Sequence, residues 1–181
     1  MLRYGECRGN AVKNVFKRIL VAVDPSKAAS WAVDVARSMA DGMESEVLLV
    51  HVMNKLPAQP NGGAVTRAKL ALNLKRKGRA LLRRTRASFE PGVKVSEMLR
   101  EGSPADEILA SAVDWEAQLI VLGAFSSRRL AHLMLGSTAE TVARRARCPV
   151  VTVGDEGISP DSYVQGVHVL AGGNVGNSKV G

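Results

Sequence analysis

Short apolar runs alternate along the chain with longer segments whose apolar positions recur at helical spacing. Arg18–Val23, reading RILVAV, is expected to be a strand closed by Asp24-Pro25-Ser26. Ala29, Ala32, Val33, Ala36, Met39 and Ala40 then recur three and four residues apart, the signature of one buried helix face. Ser26 is placed to cap this helix and Gly42 to end it. A second strand, EVLLVHV, runs from Glu46 to Val52, and the following LPAQPNGGA breaks every periodicity, as a loop does. From Val65 to about Ser88 the pattern is helical again, with Leu70, Leu74, Leu81 and Thr85 on one face. Gly78 interrupts that helix at a cost of about 1 kcal/mol relative to alanine.

The same alternation continues to the end of the ordered pattern. Val93–Leu99 is a third strand, and Pro104 opens a helix whose stripe is Ala105, Ile108, Leu109 and Ala112. Gln118–Gly123 is a fourth strand, Ala139, Val142, Ala143 and Ala146 mark a last helix, and Pro149–Val153 is a fifth strand. Strands separated by helix-length crossovers pair in parallel, so the chain is an α/β protein with helices on both faces of a mainly parallel sheet. Strands buried on both faces are continuously apolar, and LLV, LIVL and VVTV fit that requirement. Residues 1–15 show no periodicity and read as an N-terminal extension, 16–154 as the α/β domain, and 155–181 as a Gly/Asn/Ser-rich, flexible tail. Within that tail VHVL has the composition of one more short strand.

Composition changes this picture little. A chain of 181 residues with 46% hydrophobic content suits one globular domain. No run is long enough to span a bilayer, and the opening MLRYGECRGNAVKNVF lacks the apolar stretch of a secretory signal. Cys7 and Cys148 form neither a disulfide framework nor a metal-binding spacing, so a reducing, cytoplasmic setting is expected. The net charge of +8 favours anionic partners but says nothing about the fold.

Candidate chemistry gathers where ligands bind in open α/β sheets, beyond the carboxyl ends of the strands. Asp24-Pro25-Ser26, Val52-Met53-Asn54, Gly102-Ser103 and the stretch GAFSSRRLAHLMLGST from Gly123 to Thr138 all reach that edge. Gly136 allows close approach to a backbone, and Ser137 and Thr138 offer hydroxyls at a helix N-terminus, a place that favours anions. A competing reading makes Ser137 an ordinary cap, with Glu140 completing a capping box. Arg128 and Arg129 are either phosphate contacts or solvated loop residues. The chain contains neither a GxxxxGK[ST] loop nor a GxGxxG fingerprint, which argues against the commonest ATPase and dinucleotide families.

Gly123, the nine residues Ser127–Leu135 and then Gly136-Ser137 follow the fourth strand in a pattern similar to G-x2-G-x9-G-[ST], and CPVVTV closes the last strand. Together with FKRILVAVDPSKAASWAVDVARSMA, LLVHV and REGSPADEILASAVDWEAQLIVLG, this resembles the universal stress protein family over Phe16–Val153. The resemblance implies an open five-stranded sheet of order 3-2-1-4-5 in a Rossmann-like three-layer sandwich. It also implies a homodimer paired through the fifth strand, Pro149 to Val153. One branch of the family binds ATP, with magnesium. Carried over by position, Asp24 meets the ribose or adenine side, Val52 offers its backbone to adenine, and Gly123, Gly136 and Ser137 hold the phosphates. The chain departs from the motif at Ser126, which stands in place of a glycine, and at Phe125 and Ala139. A serine at 126 restricts positive φ and close approach, although its hydroxyl can donate a hydrogen bond.

Other polar features have plainer explanations at this level. Nine basic residues and no acidic one lie between Arg67 and Arg86, mostly opposite the leucine stripe. A solvated helix face is preferred to a nucleic-acid or membrane surface, and the lack of aromatic residues among the charges weakens a single-strand reading in particular. Arg144, Arg145 and Arg147 complement a helix C-terminus. His51, His132 and His168 lack metal spacing, His51 is expected to make a structural hydrogen bond, and Cys148 is expected to be a packing residue. No residue stands out as catalytic, and at most weak ATP hydrolysis is expected. The expected function is therefore a stress-response regulatory or protective domain with an adenine-nucleotide site. The alternative is a dimeric interaction protein that binds no ATP and meets anionic partners through helix 67–86.

Overall fold

The computed structural model describes residues 15–55, 64–124 and 137–154, with the short strand 167–170. In chain order the elements are β1 (Arg18–Ala22), α1 (Lys27–Met43), β2 (Glu46–Met53), α2 (Ala64–Arg86), β3 (Val95–Glu101), α3 (Pro104–Asp114), β4 (Leu119–Gly123), α4 (Ser137–Arg145), β5 (Val150–Val153) and β6 (Val167–Leu170). The sheet order is β3-β2-β1-β4-β5-β6. Its first five strands are parallel in the expected 3-2-1-4-5 order. VHVL forms β6, which runs antiparallel along β5 with Val150 opposite Leu170 and Val153 opposite Val167.

Alternate residues of each central strand supply two separate cores, which is why the strands read as unbroken apolar runs. Ile19, Val21, Val47, Leu49 and Val121 face α1 and α2, where they meet Ala32, Ala36 and Leu82. Leu20, Leu48, Val50, Ile120 and Leu122 face α3 and α4, against Ile108, Ala112, Ala139 and Val142. These strand residues are almost wholly buried, and each such side chain contributes roughly 1.5–3 kcal/mol of burial. No helix among the described residues is long and apolar enough to cross a membrane.

The helix ends agree with the sequence at the start and differ at the finish. Ser26 caps α1, its hydroxyl accepting from the Ala29 N–H at 3.1 Å. Gly42 lies inside that helix instead of ending it; the left-handed residue is Glu44, at φ 52°, whose N–H closes onto the Ala40 carbonyl. The third strand starts two residues later than its apolar pattern suggests, at Val95, because Val93 is still held in a turn by the Glu90 carbonyl.

Two glycines owe their identity to close packing. A Cβ on Gly78 would come within 2.8 Å of both His51 Cδ2 and Leu99 Cδ1, so the helical penalty at this position is offset by bringing α2 down onto the sheet. At Gly123 the constraint is harder. A Cβ there would lie 2.5 Å from the Ala28 carbonyl carbon and 2.6 Å from the Ala29 nitrogen. Those are backbone atoms of the first turn of α1, which no rotamer change can move. Gly123→Ala is therefore expected to lower stability by about 1–3 kcal/mol, the usual range for overpacking. Urea unfolding of the two proteins checks this, and an unchanged midpoint would show that α1 has more room than its backbone position allows.

Candidate functional site

Strand order reverses between β1 and β4, and the connections leave these two strands toward opposite faces, α1 on one and α4 on the other. Such a switch point leaves a crevice beyond the strand ends. Here it is a cleft of about 460 Å³, within the size range of small-molecule sites.

Five of the expected site residues meet on its walls: Asp24, Val52, Gly123, Ser137 and Thr138. They come from the end of β1, the end of β2, the end of β4 and the start of α4. Ser126, Arg128, Arg129 and Gly136 lie outside the described residues.

Asp24 is exposed. One of its carboxylate oxygens accepts from the Ser26 N–H at 2.8 Å, which shapes the turn into α1. Ser26 in turn caps the helix, so the cleft wall and the first turn of α1 form one hydrogen-bonded unit.

Val52 is presented differently, through its backbone. The β1–β2 ladder ends at Ala22 opposite Val50, whereas the β2–β3 ladder continues to Met53 opposite Glu101. In a parallel strand the N–H and C=O of successive residues point alternately to the two neighbours. The Val50 carbonyl accepts from Val23 N–H on the β1 side, and the Met53 carbonyl accepts from Gly102 N–H on the β3 side. Val52 therefore turns both its N–H and its C=O toward the β1 side, past the end of that ladder, where the cleft lies.

His51 anchors this overhang. Its Nδ1 lies 2.7 Å from the Val23 carbonyl, an acceptor, so Nδ1 carries the proton and donates it. The ring is thus a strut between β2 and the end of β1 and makes no bond to Asp24 among those found. The structural role expected for His51 is the one it has.

At the opposite wall Ser137 is the first residue of α4. Its carbonyl accepts from the Thr141 hydroxyl at 2.7 Å. Glu140 in the first turn reaches forward to Arg144 at 3.7 Å. Arg145 at the far end of α4 binds Asp106 of α3 at 2.7 Å. That hydrogen bond, with help from the Ser103 hydroxyl, holds the Asp106 carboxyl below its ordinary value. The pair ties together the two helices on this side of the cleft. Cys148 packs against the α3–α4 core, and burial pushes its thiol upward, as suits a packing residue.

Pro104 and Ile108 also line the cleft, although their spacing marked them only as helix start and core stripe. The Val52 overhang follows from strand lengths that the structure sets, eight residues in β2 against five in β1, whereas the apolar runs Arg18–Val23 and Glu46–Val52 differ by a single residue.

Comparison with known proteins agrees with this architecture. The model of the universal stress protein family matches residues 16–154. A universal stress protein of Methanocaldococcus jannaschii is 31% identical over 147 residues, covering 78% of this chain and 84% of that protein. Among solved structures, a universal stress family protein from Burkholderia pseudomallei superposes with a TM-score of 0.62 at 28% identity, over 76% of this chain and 95% of its own. A universal stress protein from Archaeoglobus fulgidus, solved in complex with dAMP, matches with a TM-score of 0.50 at 25% identity, over 76% of this chain and 98% of its own. With the family pattern spanning the five parallel strands and the cleft at their switch point, the chain belongs to the universal stress protein family.

Proposed function

We propose that the cleft binds an adenine nucleotide and that the protein acts as a nucleotide-responsive regulatory module in a stress response, in the cytoplasm. The observation that carries this reading is the backbone of Val52. Its C=O can accept from the adenine 6-amino group while its N–H donates to the adjacent ring nitrogen. Guanine presents the reverse pattern, a carbonyl and a ring N–H, and would set acceptor against acceptor. Asp24 then receives the ribose hydroxyls with the carboxylate oxygen not used by Ser26. The phosphates lie toward the N-terminus of α4, where Gly136, Ser137 and Thr138 would hold them on backbone N–H groups and hydroxyls. Gly123 bounds the same space, and Ser126, Arg128 and Arg129 belong to the loop that completes it. With ATP as ligand, magnesium is carried by the triphosphate. The dAMP complex of the Archaeoglobus fulgidus relative supports the choice of an adenine nucleotide. We assign no reaction to the site and no residue to a catalytic role.

The homodimer belongs to this proposal with its seam moved. β6 lies along the β5 edge, so a second copy would pair on the outer edge of β6 and not on Pro149–Val153.

Two measurements check these statements. Calorimetric titration should give saturable heat with ATP and AMP, and GTP should bind at least about a hundredfold more weakly, as expected where buried polar groups are left mismatched. Asp24→Asn keeps the turn to Ser26 and should weaken ATP by about tenfold, the loss of one charge-assisted hydrogen bond. No heat at millimolar ATP, or equal heats with GTP, would remove the nucleotide reading. Light scattering should return twice the 19.3 kDa chain mass; the mass of a single chain would remove the dimer.

A further inference from the structure

Helix α2 is longer than the sheet it packs on. Its 23 residues extend about 34 Å at 1.5 Å per residue. Gly78 marks the level of His51, near the carboxyl edge of the sheet. The helix before Gly78 therefore runs on for about 20 Å from that level. Between Arg67 and Lys77 no side chain is buried, and Leu70 and Leu72 are 48% and 51% exposed.

This projecting helix is densely cationic. At 100° per residue Lys69, Arg76 and Arg83 form a central row opposite the buried face. Lys75, Arg79 and Arg86 flank it on one side, Lys77 and Arg84 on the other, so positive charge covers about 200° of the circumference. Arg86 reaches Glu97 at 3.8 Å. Among the described residues, no carboxylate lies within ion-pair distance of the other seven.

Helix stability does not account for these charges. Arg83, Arg84 and Arg86 in the last turn complement the helix dipole. Lys69, Lys75, Arg76 and Lys77 do not, and the first turn holds no acidic residue to balance them. The pairs Lys75–Arg79 and Arg79–Arg83 are like charges four residues apart, which destabilise a helix.

We propose that α2 is a sequence-independent docking element for double-stranded DNA, entering the major groove and contacting phosphates on both sides. The width of the charged arc selects this partner. A flat anionic membrane would meet only the central row, whereas a groove brings phosphates to both flanks as well. The B-form major groove, about 12 Å wide, admits an α-helix, and the projecting half of α2 stands clear of the sheet. The A-form groove of duplex RNA is too narrow for such entry. Single strands need aromatic platforms, and α2 contains none. Among the described side chains between the cations, the exposed face carries Ala68, Leu72, Asn73 and Ala80, too few polar groups to read base edges, so recognition is of charge and shape.

The test is fluorescence anisotropy of the full chain on a mixed-sequence duplex of about 20 base pairs. At about 25 mM salt the duplex should bind, and raising salt to about 150 mM should weaken binding by at least about a hundredfold, as release of several counterions requires. The triple variant Lys69→Glu, Arg76→Glu, Arg83→Glu should lose at least about tenfold in affinity and show a shallower salt dependence. A second triple variant, Lys17→Glu, Arg144→Glu, Arg147→Glu, makes the same change in net charge away from α2 and should stay within about threefold of the parent. Circular dichroism of both variants separates lost binding from lost fold. Absence of binding at low salt overturns the proposal, as does an equal loss in the second variant. Equal or tighter binding to duplex RNA or to phosphatidylserine vesicles also overturns it.

Discussion

The first turn of α1 rests so closely on the end of β4 that no Cβ fits between them. Gly123 is the residue that permits this contact, and with α1 seated on it the base of the cleft is closed. With α1 seated there, the turn Asp24-Pro25-Ser26 is held at the lip of β1, and Ser26 and Asp24 complete their short hydrogen bonds within it. A larger residue at 123 would push α1 outward and open the crevice at its base. The glycine that opens the phosphate-loop pattern in the sequence is therefore required by packing, whatever its part in ligand binding.

From that contact the other walls follow. β2 overshoots β1, and the His51 ring braces the overshoot by donating to the Val23 carbonyl. Gly78 lets α2 press on the same ring from above. The Val52 backbone is left turned toward the space that β1 does not reach. On the other side of the sheet the Arg145–Asp106 pair holds α4 beside α3, which brings Ser137 and Thr138 to the opposite wall. The site is thus a product of unequal strand lengths and two close helix contacts, with the Val52 backbone at one wall and the side chains of Asp24, Ser137 and Thr138 at the others.

Much of this was legible in the sequence, for physical reasons that differ from element to element. Leu48, Leu49 and Val50 are buried against both helix layers, so β2 could not be anything but a continuous apolar run. Ser26 and Pro104 are chemical signals specific to helix starts, and both stand where expected. At the end of α1 the sequence signal and the structure part: Gly42 has the chemistry of a left-handed residue, but the chain uses Glu44, tied to Ala40, and carries Gly42 inside the helix. β6 was foreseeable in VHVL, but its pairing along β5 depends on long-range geometry that local composition does not encode. The same holds for Ile108 and Pro104, whose place on the cleft comes from the crossing of α3 over the sheet.

The proposed adenine-nucleotide site has the backbone of Val52 at one end and the first turn of α4 at the other. Amide chemical-shift mapping of isotopically labelled protein during titration with AMP and then ATP tests it most directly. AMP is expected to shift Val52 and its neighbours at the ends of β1 and β2, and the added phosphates of ATP to extend the shifts to Ser137 and Thr138. Shifts confined to α2, or an unchanged Val52 amide at saturating nucleotide, would contradict it.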